Sequence, residues 1–463
     1  MFDVDREEIT DGPIAATLVL LAAPLVVQNV VQVVQQLVDT FWLGRHSLEA
    51  VAAVGLNFPV TTLLLMVTLG AMVGTQVLVS QRVGADDLAG GRRAAVNGTI
   101  LGVGVGLVVG LVAFWFARDI MNLFGADETT TRYAAEYLAV YALMIPVLSA
   151  SDVLEGGFVG WGDARAALYV NLLAVGVNVV LDPFLIFGWG PFPEFGVAGA
   201  ALATGIGYGC GFALGLAMFV SGRDGFRLTR EALSVEIDDW REIVDIGWPV
   251  AAQHSSSQLA RVGMIWIVAL VGGAAGLAAY TIGARVASVA FLPAMGLQKA
   301  AQSMIGQNLG AERPDRARRT TWAGVGIAVA VLTVVGLIQL AIPETLAVVF
   351  VPDATSAELA LAADYLVILA VGYWAIGATY LLQAGFNGAR RTRTSLIASL
   401  TQYWGVRLPV AIALAYPLGW DVHGVFWAVT ISNVVAAIGL AAYYHYETRS
   451  GMNQQAVAAT AAD

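Results

Sequence analysis

Asp39 and Asp182 are carboxylates set inside stretches otherwise apolar enough to span a bilayer. An ionisable side chain in hydrocarbon is costly, so it marks an ion or substrate pathway by default. Asn178 stands four residues before Asp182, one helical turn deeper on the same face. Thr204 lies about eight residues into the next apolar run, and Asp182 about eight before the outer end of its own. At 1.5 Å per residue both sit on the order of 12 Å below the outer surface. Two carboxylates, an amide oxygen and a hydroxyl at neighbouring depths make an all-oxygen cluster. It suits Na⁺, with all four residues as its metal ligands, or a proton on one carboxylate.

Each residue also has a plainer reading. Asp39 can be a helix-end group hydrated from outside, and Asp182 can accept from a backbone NH beside Pro183. Asn178 and Thr204 can be ordinary interhelical hydrogen bonds. The first apolar run adds Gln28, Gln32, Gln35 and Gln36 at helical spacings, which line a wet cavity or join helices. Arg261, in HSSSQLARVG, is read as facing a cavity, so Gln32, Gln35, Gln36 and Arg261 are the candidate substrate-cavity residues. Asp152 and Glu155 are read as interfacial or helix-packing groups, and Arg285 and Lys299 as snorkelling ones. Arg407, just before Pro409, can pair with an acid from elsewhere.

The elements that position these groups follow from composition. The chain has 463 residues, 58% hydrophobic and 13% charged, about half the charged fraction of soluble domains. In water it would expose large apolar patches, so it is read as a membrane protein. Its single cysteine, Cys210, allows no disulfide framework. The acidic start MFDVDREEITDGP lacks the basic region of a signal peptide, so the first helix is expected to stay in the membrane. Of 24 basic residues only Lys299 is a lysine, and net charge is −10. That balance suits a high-salt, haloarchaeal cytoplasm or reflects a GC-rich genome, and it excludes a polybasic nucleic-acid binder.

Apolar runs of about 20 residues number twelve: 14–42, 50–79, 94–117, 134–160, 167–190, 196–221, 243–271, 276–306, 321–342, 360–386, 394–416 and 422–446. Prolines 24, 59, 146, 183, 249, 293 and 409 fall inside them, where kinks are expected. The two tails and even-numbered loops hold 17 of the 24 basic residues, odd-numbered loops hold Arg45, Arg118 and Arg132, and four lie within runs. That bias predicts cytoplasmic termini.

The chain also repeats. SQRVGADDLAGGRRA from Ser80 pairs with GQNLGAERPDRARRT from Gly306, setting Gln81, Gly84, Arg92 and Arg93 on Gln307, Gly310, Arg318 and Arg319. Pro183 meets Pro409 at the same offset. Six runs separate the copies, so the halves share one orientation, a transporter plan that binds substrate between halves. The domain reading is a six-helix lobe over 1–221, a linker with a short surface helix over 222–242, a second lobe over 243–446 and a tail over 447–463. Carboxylates deep in runs belong to the first half, and in-run cations to the second. His46, His254, His423 and His445 show no metal spacing, and no GxxxxGK[ST] phosphate loop is present, so neither an enzyme nor an ATP-driven pump is indicated.

These stretches resemble the multidrug and toxic compound extrusion (MATE) transporters. The resemblance rests on PLVVQNVVQVVQQLVDTFWLG, GLNFPV, VLEGGFVGWGDARAAL, NVVLDPFLIFGWGPFPEFGVAGAALAT, IGQNLGAERPDRAR, LLQAGFNGARRTRT and YWGVRLPVA, and it covers all but the ends. It implies an all-α membrane protein of twelve transmembrane helices, in two pseudo-repeated six-helix lobes forming a V-shaped cavity. It also implies a multi-pass protein of the cell membrane that exports amphipathic, often cationic compounds in exchange for Na⁺ or H⁺, with no cofactor. A monomer is expected.

In the branch that couples ions through the N-terminal lobe, Asp39 matches the span-one aspartate, Asn178 and Asp182 match NxxxDP, and Thr204 matches a span-six threonine. Another branch places carboxylates in spans seven and ten, where this chain has Ser255, Ser256, Ser257 and the Gly377 region. The alternative function is a flippase for a lipid-linked oligosaccharide, which needs a strongly basic cavity.

Overall fold

In a bilayer each backbone polar group must be satisfied within its own segment, so apolar runs fold as helices. The structure is a computed structural model describing residues 6–350 and 355–462; helices occupy all twelve runs, and no strand occurs among the described residues. The first five residues of the acidic start lie outside the described residues. Among the described residues, nine helices are long and apolar enough to cross a membrane singly. One of them, Ile237–Ala290, has 54 residues. At 1.5 Å per residue that is about 81 Å, enough for more than two crossings. Gly273 interrupts it at φ 56°, ψ −150°, a conformation that in practice needs glycine. Spans seven and eight therefore part at Gly273, between the expected limits of 271 and 276.

The remaining spans are broken rather than absent. Ser356–Val371 and Tyr373–Gly388 form one span bent by 48°. The eleventh consists of Thr392–Leu400, a π-helical segment Thr401–Arg407, and Leu408–Ala415. The expected proline kinks divide into two kinds. Pro293 and Pro409 sit at the first turn of new helices, where a missing NH costs little. Pro24, Pro59, Pro146, Pro183 and Pro249 lie inside continuous helices.

The chain forms two compact units, one comprising Val27–Ala252 and the other the residues up to Val26 and from Gln253 onward. The repeated basic motif explains that division. In the first unit, Arg82 Nη2 donates to Asp239 Oδ1 at 2.7 Å, and Arg93 Nε and Asn97 Nδ2 donate to Asp239 Oδ2 at 3.1 Å each. Arg92 donates to the Gly225 carbonyl at 2.9 Å, and Phe226 is buried against Phe158, Trp161 and Phe219. The expected surface helix of the linker is two 3₁₀ turns, Arg223–Gly225 and Glu231–Leu233.

In the second unit the other copy of the motif holds residues 9–12. Asn308 and Arg313 donate to the carbonyls of Ile9 (3.3 Å) and Thr10 (2.7 Å), and Arg313 pairs with Asp11. That guanidinium, with Thr10, holds the Asp11 carboxyl below its usual range. Each motif thus anchors the lead-in to the other half's first span.

Close backbone approach supplies much of the packing. A Cβ at Gly247 would lie 2.2 Å from the Gly70 carbonyl oxygen, and one at Gly74 would lie 2.3 Å from that of Ile243. Helices this near exclude any larger side chain, the use of small residues expected in membranes. Gly247→Val should destabilise the protein by roughly 1–3 kcal/mol through overpacking. Thermal unfolding in detergent checks this against Gly104→Ala, where a Cβ meets nothing within 4 Å.

Candidate functional site

Span one carries Gln28, Gln35 and Asp39 on one helical face, at i, i+7 and i+11. Span five, Ala164–Phe187, carries Asn178 and Asp182, both fully buried, and span six, Val197–Ser221, carries the buried Thr204. Gly188, Gly190 and Gly196, all at positive φ, shape the loop that leads into span six. The parts of these three helices that carry the group belong to the first unit, and they bring the four predicted oxygen-bearing residues together.

Asn178 is the centre of the group. Its amide is oriented with the nitrogen donating to Asp39 Oδ1 at 3.1 Å and also 2.9 Å from Gln35 Nε2, while its oxygen accepts from the Thr204 backbone NH at 3.1 Å. The oxygen lies 3.3 Å from Thr204 Oγ1, whose proton goes to the Ala200 carbonyl at 3.0 Å. The same amide atom is 3.4 Å from Asp182 Oδ1. Two acceptors that close call for a proton or a cation between them. Asp182 Oδ2 is buried and receives no hydrogen bond, and the carboxyls of Asp39 and Asp182 lie within hydrogen-bond reach of each other. Two acceptors can share a hydrogen bond only when one carries the proton. The arrangement can therefore hold one proton between carboxyls, or a hard cation on four oxygens.

The plainer readings of the aspartates do not describe this geometry. Asp182 makes no bond to a backbone NH among the described residues, and Asp39 is half-buried and bonded rather than freely hydrated. Of the cavity candidates, Gln35 joins the group. Gln32 is half-buried and Gln36 exposed, while Arg261 is exposed and belongs to the second unit. Glu155 is buried and accepts from Gln28 Nε2 at 2.6 Å, which fits its helix-packing reading.

Sequence reasoning missed Tyr137 and Tyr141. Their rings stack at 5.8 Å, and the Tyr137 hydroxyl lies in the field of both aspartates. Their i, i+4 spacing in span four was the available signal. Arg407 meets no acid among the described residues. It donates to Ser432 Oγ at 2.8 Å and Asn433 Oδ1 at 2.6 Å, with Tyr403 beneath it.

The MatE family profile matches the chain twice, over residues 24–184 and 249–413. The chain belongs to the MatE family. The two matches start 225 residues apart (24 and 249), in keeping with the internal repeat. Among curated MatE relatives, a probable multidrug resistance protein NorM of Deinococcus radiodurans is 30% identical over 94% of this chain and 96% of its own. An FAD transporter of Shewanella oneidensis is 26% identical over 95% of this chain and 96% of its own. Among solved structures, a MOP superfamily transporter from Pyrococcus furiosus superposes with a TM-score of 0.90 at 24% identity, covering 97% of this chain and 99% of that one. The twelve-helix, two-lobe MATE fold and a multi-pass membrane protein are thereby shown, and the relatives are transporters.

Proposed function

We propose that this MatE chain is a cation-coupled antiporter that exports amphipathic compounds across the cell membrane by alternating access, with both termini in the cytoplasm. Asp39, Asn178, Asp182 and Thr204 are its coupling group. One observation carries the reading: the carboxyls of buried Asp182 and half-buried Asp39 lie within hydrogen-bond reach of each other, around the Asn178 amide that Thr204 also meets. Such a pair changes net charge by one when an ion arrives, and in a low-dielectric setting that charge biases helix packing strongly. Asn178 ties Asp39 on span one to Thr204 on span six. Filling the pair thus acts on span one, whose Pro24 lies inside the helix and leaves a carbonyl unbonded at which the helix can bend. The multidrug names among the relatives support drug-like cargo.

Everted vesicles holding the purified protein test this. A dye-efflux rate that rises about tenfold under an imposed Na⁺ gradient and not under a pH gradient identifies Na⁺ as the coupling ion, and the reverse identifies H⁺. Equal rates with and without both gradients sink the proposal. A flippase reading draws on the exposed Arg261 and half-buried Arg407 of the second unit; transfer of a lipid-linked saccharide without efflux of soluble dye would favour it.

A further inference from the structure

We propose that the second unit carries an anion-binding site, built on Arg261 and Arg407, for the carboxylate or phosphate group of an aromatic cargo. The proposal names a substrate class for the exporter argued above, but its geometry is independent of the coupling group.

Arg407 ends the π-helical segment Thr401–Arg407, a widened turn often found at functional sites. Its Nε and one Nη are held by Ser432 and Asn433, and its guanidinium lies 4.4 Å from the centroid of the Tyr403 ring. All three partners are neutral, so they orient the guanidinium and leave its charge uncompensated. Two of its five N–H donors are used. Arg261 makes no hydrogen bond or ion pair among the described residues and is exposed.

Tyr280 and Tyr365 complete the surroundings. Their rings stack at 5.5 Å, Tyr365 stacks on Phe426 at 4.2 Å, and both rings are buried. Neither hydroxyl has a hydrogen-bond partner among the described residues, and the span carrying Arg261 packs against the Arg407 segment, with Trp404 Nε1 donating to Ser256 Oγ at 2.8 Å and Gly263 set against Leu408. In the same unit Asp364 is committed to His423 at 3.2 Å. The cluster therefore offers two cations, two spare hydroxyl donors and aromatic faces, and among the described residues no carboxylate pairs with either guanidinium. Guanidinium forks match carboxylate and phosphate oxygens, and they stack on planar rings. A cationic drug would meet only repulsion here, so the group fits a planar molecule bearing an anion.

The test uses the full-length protein in detergent and a matched pair of probes: riboflavin 5′-phosphate, an anion, and riboflavin, its neutral parent. Wild type should bind the phosphate about tenfold more tightly. Arg261→Gln and Arg407→Gln should each bring the two affinities within about twofold, chiefly by weakening the phosphate, and Arg261→Lys should restore part of the preference. Arg261 has no partner to lose, so its variants fold whether or not Arg407→Gln does. Equal wild-type affinities, or an undiminished preference in Arg261→Gln, overturn the proposal.

Repeating the titration in phosphatidylglycerol and in phosphatidylcholine nanodiscs separates two sources of the anion. Loss of the preference only in phosphatidylglycerol means that a lipid headgroup occupies the site, and an unchanged preference means a soluble cargo; both support it. The measurement needs no gradient, so it reads anion recognition apart from coupling. Failure here therefore leaves the coupling proposal intact, and failure of coupling leaves this one.

Discussion

Asp182→Asn should lose gradient-driven efflux by on the order of a hundredfold, near the upper end of coupling free energies between sites. Asparagine matches aspartate in shape and keeps a polar contact with Asn178, 3.4 Å away in the native protein. It cannot gain or lose a charge, so the ion can no longer change the balance between conformations. Asp39→Asn should behave similarly with a smaller loss, because Asp39 is half-buried where Asp182 is fully so. Downhill exchange of dye with no gradient should survive in both variants, which separates lost coupling from lost folding. Wild-type gradient-driven rates in both variants would end the assignment.

The second large effect concerns stability rather than transport. Asp239 is buried and is the shared acceptor for Arg82, Arg93 and Asn97. Asp239→Ala leaves the Arg82 guanidinium, only 10% exposed, without its closest anion. Removing one partner of a buried pair typically costs about 3–5 kcal/mol. Asp238→Ala provides the control. Its side chain is 83% exposed and pairs with Arg241 along the helix, so its removal should change stability by less than about 0.5 kcal/mol. Thermal unfolding of the two proteins in detergent should differ by several degrees. Coincident curves would mean that the motif does not anchor the lead-in segment.

The two effects lie on different links of one chain of cause. The Arg82–Asp239 contact holds the lead-in to span seven, and the Arg313–Asp11 contact holds the lead-in to span one. Span one then presents Asp39 to Asn178. A defect in either anchor should appear first as lost protein, whereas a defect at Asp182 should appear as intact protein that no longer couples.

Hydrophobic run length decided the twelve spans by itself, because a backbone in hydrocarbon has no alternative to the helix. The internal repeat and the isolated acids at 39 and 182 were equally legible, since a buried charge stands out against an apolar background. Sequence could not show that Arg407 is held by neutral Ser432 and Asn433, because those partners arrive from another span. Nor could it show that Pro183 and Pro409, equivalent in the repeat, differ in effect, one inside a continuous helix and the other after a π-turn. Proline removes the same NH in both places, and the neighbours decide how the freed carbonyl is accommodated. The placement of each repeated motif on the other half's lead-in likewise belongs to the tertiary structure. Contacts between residues more than a hundred positions apart depend on how helices pack, and no local pattern records that.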